Sequence, residues 1–363
     1  MKIPDIMRNF VLPNLEAHMY RNYKDFDGHV LVTARQDTAS GLSAFIAIHN
    51  ENRGPAMGGC RILKYVSQDH AIKDVLRLSR GMTYKNAIAN IPYGGGKAVI
   101  IADPRVEKTS KLLHAMGEFV QSLHGRYITS FDSGTTLEDV RTIGERTDFV
   151  AGTLAEAGNA SGSTANGVYY CMRAAAERIY GTSSLSGLTV AVQGVGNVGG
   201  RLAERLAADG ARLIVADADE ARARQVADAT GAAVAGIDEI LSAKADILSP
   251  CALGGVLTAQ SISELKAKII VGGANNQLAT AEDDERLRAA GILYCPDYLA
   301  NAGGIIDLYY QRSRWTSDAV DKHVSSLADT FREVVDRSRE GRLGTAMVAD
   351  ALARERFRSR GLA

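Results

Sequence analysis

The sequence has few cysteines. Cys60, Cys171, Cys251 and Cys295 are spread over 363 residues and never form a Cys-x-x-Cys pair. That spacing argues against a zinc site or a disulfide framework and fits reduced thiols in a cytoplasmic protein. Long apolar runs are missing too: none approaches the roughly 20 residues that cross a bilayer. The first sixteen residues carry Asp5 and Glu16 and lack a continuous apolar stretch, so they do not read as a secretory signal. Neither sign of charge is in surplus, with 42 basic and 42 acidic side chains. A nucleic-acid or anionic-membrane partner needs a basic excess, and this chain does not offer one. The run Arg354-Glu355-Arg356-Phe357-Arg358 reads as a solvated helix face. No internal repeat or low-complexity tract is present.

The length suits two hydrophobic cores. The first part reads as mixed α/β: a helix at 5–19, strands at 30–34 and 42–49, and a helix at 69–89 with an apolar stripe of Ala71, Val75, Leu76 and Leu78. A strand at 98–102, a helix at 110–123, a short strand at 127–130 and a helix opening near Thr136 follow. Small and polar residues at 152–162 read as a linker, and a helix at 164–180 leads on. From residue 188 the pattern is βαβ, with strands at 188–193, 213–216, 246–249, 269–271 and 292–294 and a helix at 198–208. Such alternation builds a parallel, doubly wound Rossmann sheet with helices on both faces. Residues 318–357 read as helical. The expected class is therefore α/β, with domains at 1–150 and 151–335, a cleft between them, and a C-terminal helix at 336–363 packing back toward the first.

Two lysines and one glycine turn carry the chemistry. Lys97 closes Pro92-Tyr93-Gly94-Gly95-Gly96-Lys97, where glycine lets backbone approach a ligand closely. Lys85 lies twelve residues upstream and offers a second cation. The turn Gly194-Val195-Gly196-Asn197-Val198-Gly199 follows an apolar strand and opens a helix, and the next strand ends in Asp217. In that context Gly194 makes the tight turn, Gly196 admits a pyrophosphate, and Gly199 lets helix and strand pack closely. The helix start, with Asn197 and Val198, offers N–H donors to the phosphates. Asp217 is placed to take the adenosine ribose hydroxyls and to repel a 2′-phosphate, which points to NAD over NADP. A helix-cap role for Asp217 remains the alternative.

Several stretches in order then resemble the amino acid dehydrogenases that include leucine, phenylalanine, valine and tryptophan dehydrogenases, relatives of glutamate dehydrogenase. They are Gly54-Pro55-Ala56-Met57-Gly58-Gly59, Met82-Thr83-Tyr84-Lys85, the Lys97 stretch, Asp132-Ser133-Gly134-Thr135-Thr136, the glycine turn, and Pro296-Asp297-Tyr298-Leu299-Ala300-Asn301-Ala302-Gly303-Gly304. The resemblance implies an N-terminal substrate and oligomerisation domain and a C-terminal NAD domain. It implies that Lys85 binds the substrate carboxylate with backbone at Gly59, and that Lys97 is catalytic through a water. It implies that Asp132 handles protons on the amino group. Asn275 then sits at the junction of cofactor and substrate, Thr164 contacts the nicotinamide amide, and Cys251 and Ala252 belong with the cofactor site. The chemistry asks for a lysine that is a base near neutral pH, well below the ordinary value of about 10.4. Burial and a neighbouring cation such as Lys85 would both push that way. Asp132 as a helix cap before Thr136 is the competing structural role, and Asp139 reads as a first-turn acid.

Met57, Ala300 and Ile305 are apolar candidates for the substrate side-chain pocket, where glutamate dehydrogenases carry a cation. An aliphatic or aromatic L-amino acid follows, converted to its 2-oxo acid and ammonia. Met57-Gly58-Gly59 with Arg61-Ile62-Leu63, and Arg77-Leu78-Ser79-Arg80-Gly81-Met82, look particularly like tryptophan dehydrogenase. The chain departs from the pattern at Cys60, where threonine is common, and at Ser133, where valine is. The resemblance also implies a homo-oligomer, dimer or octamer. Two other readings stay open: a reductase of a preformed imine or other carbonyl, and a catalytically silent nucleotide sensor.

Overall fold

A computed structural model of the chain describes residues 20–154, 160–313 and 315–358. The helix expected at 5–19 lies outside the described residues, as does the middle of the expected linker, 155–159. The chain divides into two compact units, Met1–Thr83 with Gly94–Val150, and Tyr84–Tyr93 with Ala151–Ala363.

In the first unit β1 (Leu31–Asp37), β2 (Leu42–Asn50), β3 (Ala56–Leu63), β4 (Gly94–Ile101) and β5 (Tyr127–Phe131) form one mixed sheet in the order β1-β2-β4-β3-β5. β2 is antiparallel to β1 and β4, while β3 runs parallel to β4 and β5. Three helices join them: α1 (Gln68–Ile88), α2 (Ser110–Gln121) and α3 (Leu137–Gly144). The alternation in β2 sorts its side chains between two cores, because successive Cβ atoms point to opposite faces. Ala44, Ile46 and Ile48 pack with Leu112, Met116 and Phe119 of α2. Phe45 and Ala47 pack with Ala71, Val75 and Leu76 of α1.

Two differences from the expected elements matter for the site. β3 was not expected, because Gly58 and Gly59 erase the β-rich signal, yet it is an interior strand of the sheet. β4 begins at Gly94 rather than Ala98, so the three glycines are strand residues. A Cβ at Gly94 would lie 2.0 Å from Asn50 O, one at Gly95 2.0 Å from Thr83 N, and one at Gly96 2.8 Å from the Tyr127 ring. The space these glycines leave is filled by the protein's own chain, which corrects the reading that it admits a ligand.

The second unit opens with α4 (Ser161–Tyr180). Its sheet contains β6 (Thr189–Gln193), β7 (Arg212–Ala216), β8 (Ala233–Val234), β9 (Ile247–Pro250), β10 (Ile269–Ile270) and β11 (Leu293–Tyr294). They lie in the order β11-β10-β9-β6-β7-β8, every neighbouring pair parallel. The order reverses between β6 and β9, the switch point where doubly wound sheets bind ligands. The helices are α5 (Gly199–Ala208), α6 (Glu220–Thr230), α7 (Ala259–Glu264), α8 (Glu282–Ala289), α9 (Asp297–Ala300), α10 (Gly303–Gln311), α11 (Ser317–Ser325), α12 (Leu327–Gly341) and α13 (Thr345–Arg358). The break expected before residue 336 falls inside α12, and the last helix starts at Thr345. α13 packs on the stretch 84–93 of its own unit: Arg354 Nε donates to Tyr84 Oη at 2.8 Å, and an Arg356 N–H donates to Ile88 O at 2.7 Å.

Candidate active site

In the first unit β4 carries Lys97, and Asp132 follows directly on β5. Lys97 is 6% exposed, and its Nζ contacts Asp132 Oδ2 as an ion pair. The turn after β5 is tied on several sides. Thr135 Oγ accepts from Asp132 N at 2.8 Å and donates to Cys60 O at 2.8 Å, and Ser133 N donates to Asp132 Oδ1 at 2.7 Å. Gly59 is required there, since a Cβ would fall 2.5 Å from Phe131 O and 2.9 Å from Asp132 Cβ. Burial opposes ionisation of Asp132, but the Lys97 ammonium and then the Arg61 guanidinium outweigh it and hold the carboxyl down at about 2. The neighbour in contact with Lys97 is thus an anion.

Asp132 does not cap α3. Thr136 does, in a capping box with Asp139, which is also paired with Lys108 at 2.7 Å. Cys60 is fully buried among apolar side chains, and burial pushes its thiol up to about 12, so it stays protonated. Met57 is fully buried in β3 between Gly95 and Ile128.

In the second unit the glycine turn joins β6 to α5. Gly194 has φ +87°, and a Cβ there would lie 2.6 Å from Ala252 Cβ. A Cβ at Gly199 would fall 1.9 Å from Gly194 O and 3.1 Å from Cys251 Cβ, and one at Gly273 2.8 Å from Val198 Cγ1. Residues expected at the cofactor site are therefore brought together at the ends of β6 and β9. At Gly196 a Cβ would meet nothing within 4 Å, and no side chain caps α5. Open space beside unclaimed helix N–H groups fits a dinucleotide pyrophosphate. Asp217 follows β7; its Oδ2 accepts from Val195 N at 2.9 Å and its Oδ1 from Asp219 N at 2.9 Å, while the cap of α6 is Asp219. A carboxylate keeps lone pairs beyond those two bonds, so ribose hydroxyls still fit.

Lys85 belongs to this second unit. Its Nζ donates to Asn301 Oδ1 at 2.6 Å, and Asn301 Nδ2 donates to Asn275 Oδ1 at 2.8 Å. The acceptor is a neutral amide oxygen that orients the ammonium. Asn276, next along, holds φ +53°, a left-handed conformation that asparagine tolerates. Thr164 Oγ donates back to Ala160 O at 3.0 Å and sits beside Gly304, where a Cβ would come within 2.7 Å of it. Ala300 and Ile305 are buried, at the end of α9 and in α10.

Comparison with known proteins decides the family. The Glu/Leu/Phe/Val dehydrogenase dimerisation domain matches residues 26–156, and the glutamate/leucine/phenylalanine/valine dehydrogenase domain matches 158–222 and 215–359. The chain belongs to the Glu/Leu/Phe/Val dehydrogenase family. A leucine dehydrogenase of Bacillus cereus is 43% identical over 348 residues, 95% of this chain and 94% of the relative. An L-tryptophan dehydrogenase of Nostoc punctiforme is 45% identical over 317 residues, 87% of this chain and 90% of the relative. The crystal structure of L-tryptophan dehydrogenase from Nostoc punctiforme superposes with a TM-score of 0.82 at 42% identity, covering 92% of this chain and 97% of that one. The α/β architecture, an N-terminal dimerisation domain followed by a parallel-sheet domain, is that of this family of nucleotide-dependent oxidoreductases.

Set within this dehydrogenase family, three polar side chains stand out that the sequence did not single out. Arg61 pairs with Asp132, Asn301 links Lys85 to Asn275, and an Arg222 N–H lies 3.4 Å from Asp217 Oδ1. Arg61 and Asn301 fall inside quoted stretches, but only tertiary contact reveals what each touches.

Proposed function

We propose that the chain catalyses the NAD-dependent, reversible oxidative deamination of an apolar L-amino acid to its 2-oxo acid and ammonia. The observation that carries this reading is the buried Lys97 in ion contact with Asp132. A lysine and a carboxylate together can take and return the protons of an amine and of an attacking water. In this reading Lys85 and backbone at Gly59 bind the substrate carboxylate. Asp132 receives the substrate ammonium as a hydrogen-bond acceptor and handles the protons of the amino group. Lys97 then holds and deprotonates the water that attacks the iminium carbon. Bound at the glycine turn, with Asp217 on the adenosine ribose and Thr164 and Asn275 toward the nicotinamide, NAD supplies the hydride acceptor. Met57, Ala300 and Ile305 favour an aliphatic or aromatic side chain, and the substrate-binding unit also builds a homo-oligomer.

The test follows NADH absorbance with a panel of L-amino acids at alkaline pH, then with 2-oxo acids plus ammonium. Turnover of leucine, phenylalanine or tryptophan is expected, with Lys97→Ala lowering kcat by on the order of 100-fold or more while NAD still binds. Tight NAD binding without turnover of any apolar amino acid would instead indicate a sensor. Reduction of a preformed imine without use of free ammonia would indicate a reductase.

A further inference from the structure

We propose that Arg61 is a positioning residue that holds the Asp132 carboxylate in place and in its ionised form while Lys97 gives up and regains its proton. The proposal rests on the roles of Lys97 and Asp132 given above. Arg61 lies on β3 next to Cys60, and alternation along the strand turns the thiol into the core and the guanidinium to the opposite face. Its Nε is 3.4 Å from Asp132 Oδ2, the same oxygen that Lys97 contacts. A terminal N–H of Arg61 donates to Asp74 Oδ2 at 2.9 Å, and that oxygen also accepts from Tyr65 Oη at 2.7 Å. Arg77 donates to Asp74 Oδ1 at 3.0 Å. Lysine, aspartate, arginine and aspartate thus alternate in sign from β4 to α1.

This sequence of charges has a chemical consequence. Once Lys97 is neutral, Asp132 without another cation is a largely buried and uncompensated anion, a state that burial strongly disfavours. A guanidinium does not deprotonate in a protein, so Arg61 keeps its charge throughout the cycle. Asp74, fixed by Tyr65 and Arg77, orients the guanidinium from behind. That end faces a cavity of about 430 Å³, lined by Asp25, His70 and Lys73 as well, while none of those three is paired with Asp132. Arg61 meets no substrate in this reading; it acts through Asp132.

The test uses the full-length chain with Arg61→Met, Arg61→Lys and Asp74→Asn. Amino acid oxidation is measured across pH, alongside NAD affinity, and crystal structures are determined for the two Arg61 variants. Arg61→Met is expected to lower kcat by on the order of 100-fold with little change in NAD affinity. Loss of the fixed cation favours the protonated form of the Lys97–Asp132 pair, so the ascending limb of the rate profile should move to higher pH by about one unit. Arg61→Lys should return the limb toward its original position but only part of kcat, because an ammonium lacks the fork that spans two carboxylates. Asp74→Asn should fall between. In the crystal, the Asp132 carboxylate should keep its contact with Lys97 but shift away from its place beside residue 61 in the methionine variant, and stay in place in the lysine variant. An unmoved Asp132, or an unshifted limb with kcat falling only as the folded fraction falls, overturns the proposal. If the unaltered chain turns over no amino acid, it is the functional reading that fails, and the position of Asp132 in the crystals still decides the role of Arg61.

Discussion

Asp217 shows how much a single side chain can be asked to do. Its position at the end of β7 was legible from the spacing after the glycine turn, because the βαβ unit fixes that distance. The tertiary structure adds that one oxygen braces the turn at Val195 and that Arg222 stands beside the other. Asp217→Asn should therefore do two things. NAD affinity should fall modestly, since a neutral amide braces the turn less well. Preference for NAD over NADP should narrow by roughly 1–3 kcal/mol, because the repulsion is gone and Arg222 is freed to meet a 2′-phosphate. Comparing kcat/KM for the two cofactors checks this; an unchanged ratio would place cofactor selection elsewhere. Lys97 and Asp132 were likewise legible as residues, but their direct pairing was not. Eight-residue β4 and the turn after β5 are far apart in sequence, and only the sheet order brings them together.

At the scale of elements, the glycines divide into those that serve the fold and those that serve a ligand, and sequence spacing alone does not separate them. Gly199 has no room for a Cβ against Gly194 O, whereas Gly196 faces open space. Gly199→Ala should destabilise the second unit by roughly 1–3 kcal/mol through overpacking, seen as a lower melting temperature. Gly196→Ala should melt like the unaltered chain yet bind NAD at least tenfold more weakly, measured by fluorescence titration. Equal NAD affinity in the Gly196 variant would remove that glycine from the cofactor site. Gly94, Gly95 and Gly96 belong with the fold, and their density is also what hid the true start of β4. Strands rich in glycine carry weak β-propensity, so β3 and the first half of β4 emerge only when neighbouring strands pair with them.

For the whole molecule, acid stability follows from a pair of histidines in the core of the first unit. His29 and His49 are buried with ring centroids 4.9 Å apart, near Asp27 and Arg80. His29 Nε2 lies 3.0 Å from Leu76 O and from Ser79 Oγ, and His49 Nδ1 lies 2.8 Å from Thr83 Oγ. Burial, then the charge of His49, lowers His29 to about 4, and burial lowers His49 as well. The unfolded chain takes up protons below about 6.5 while the folded one resists, so stability is full above that pH and is lost as pH falls toward 4. For His29 the loss reaches about 3 kcal/mol. Asp132 works in a different window, its contribution fading only below the ordinary aspartate range, toward 2. Melting temperature should fall from pH 7 to pH 5 by several degrees more in the unaltered chain than in His29→Gln; equal slopes would remove His29 as the cause. The sequence by itself determined the α/β class, the Rossmann half, the glycine turn and the two lysines, because these rest on local periodicity and on spacings within single βαβ units. The tertiary structure alone decided the sheet order of the first unit, the grouping of Lys85 with Asn301, and the charge series from Lys97 to Asp74. Those depend on which distant strands and helices pack side by side, and short-range pattern carries no record of that.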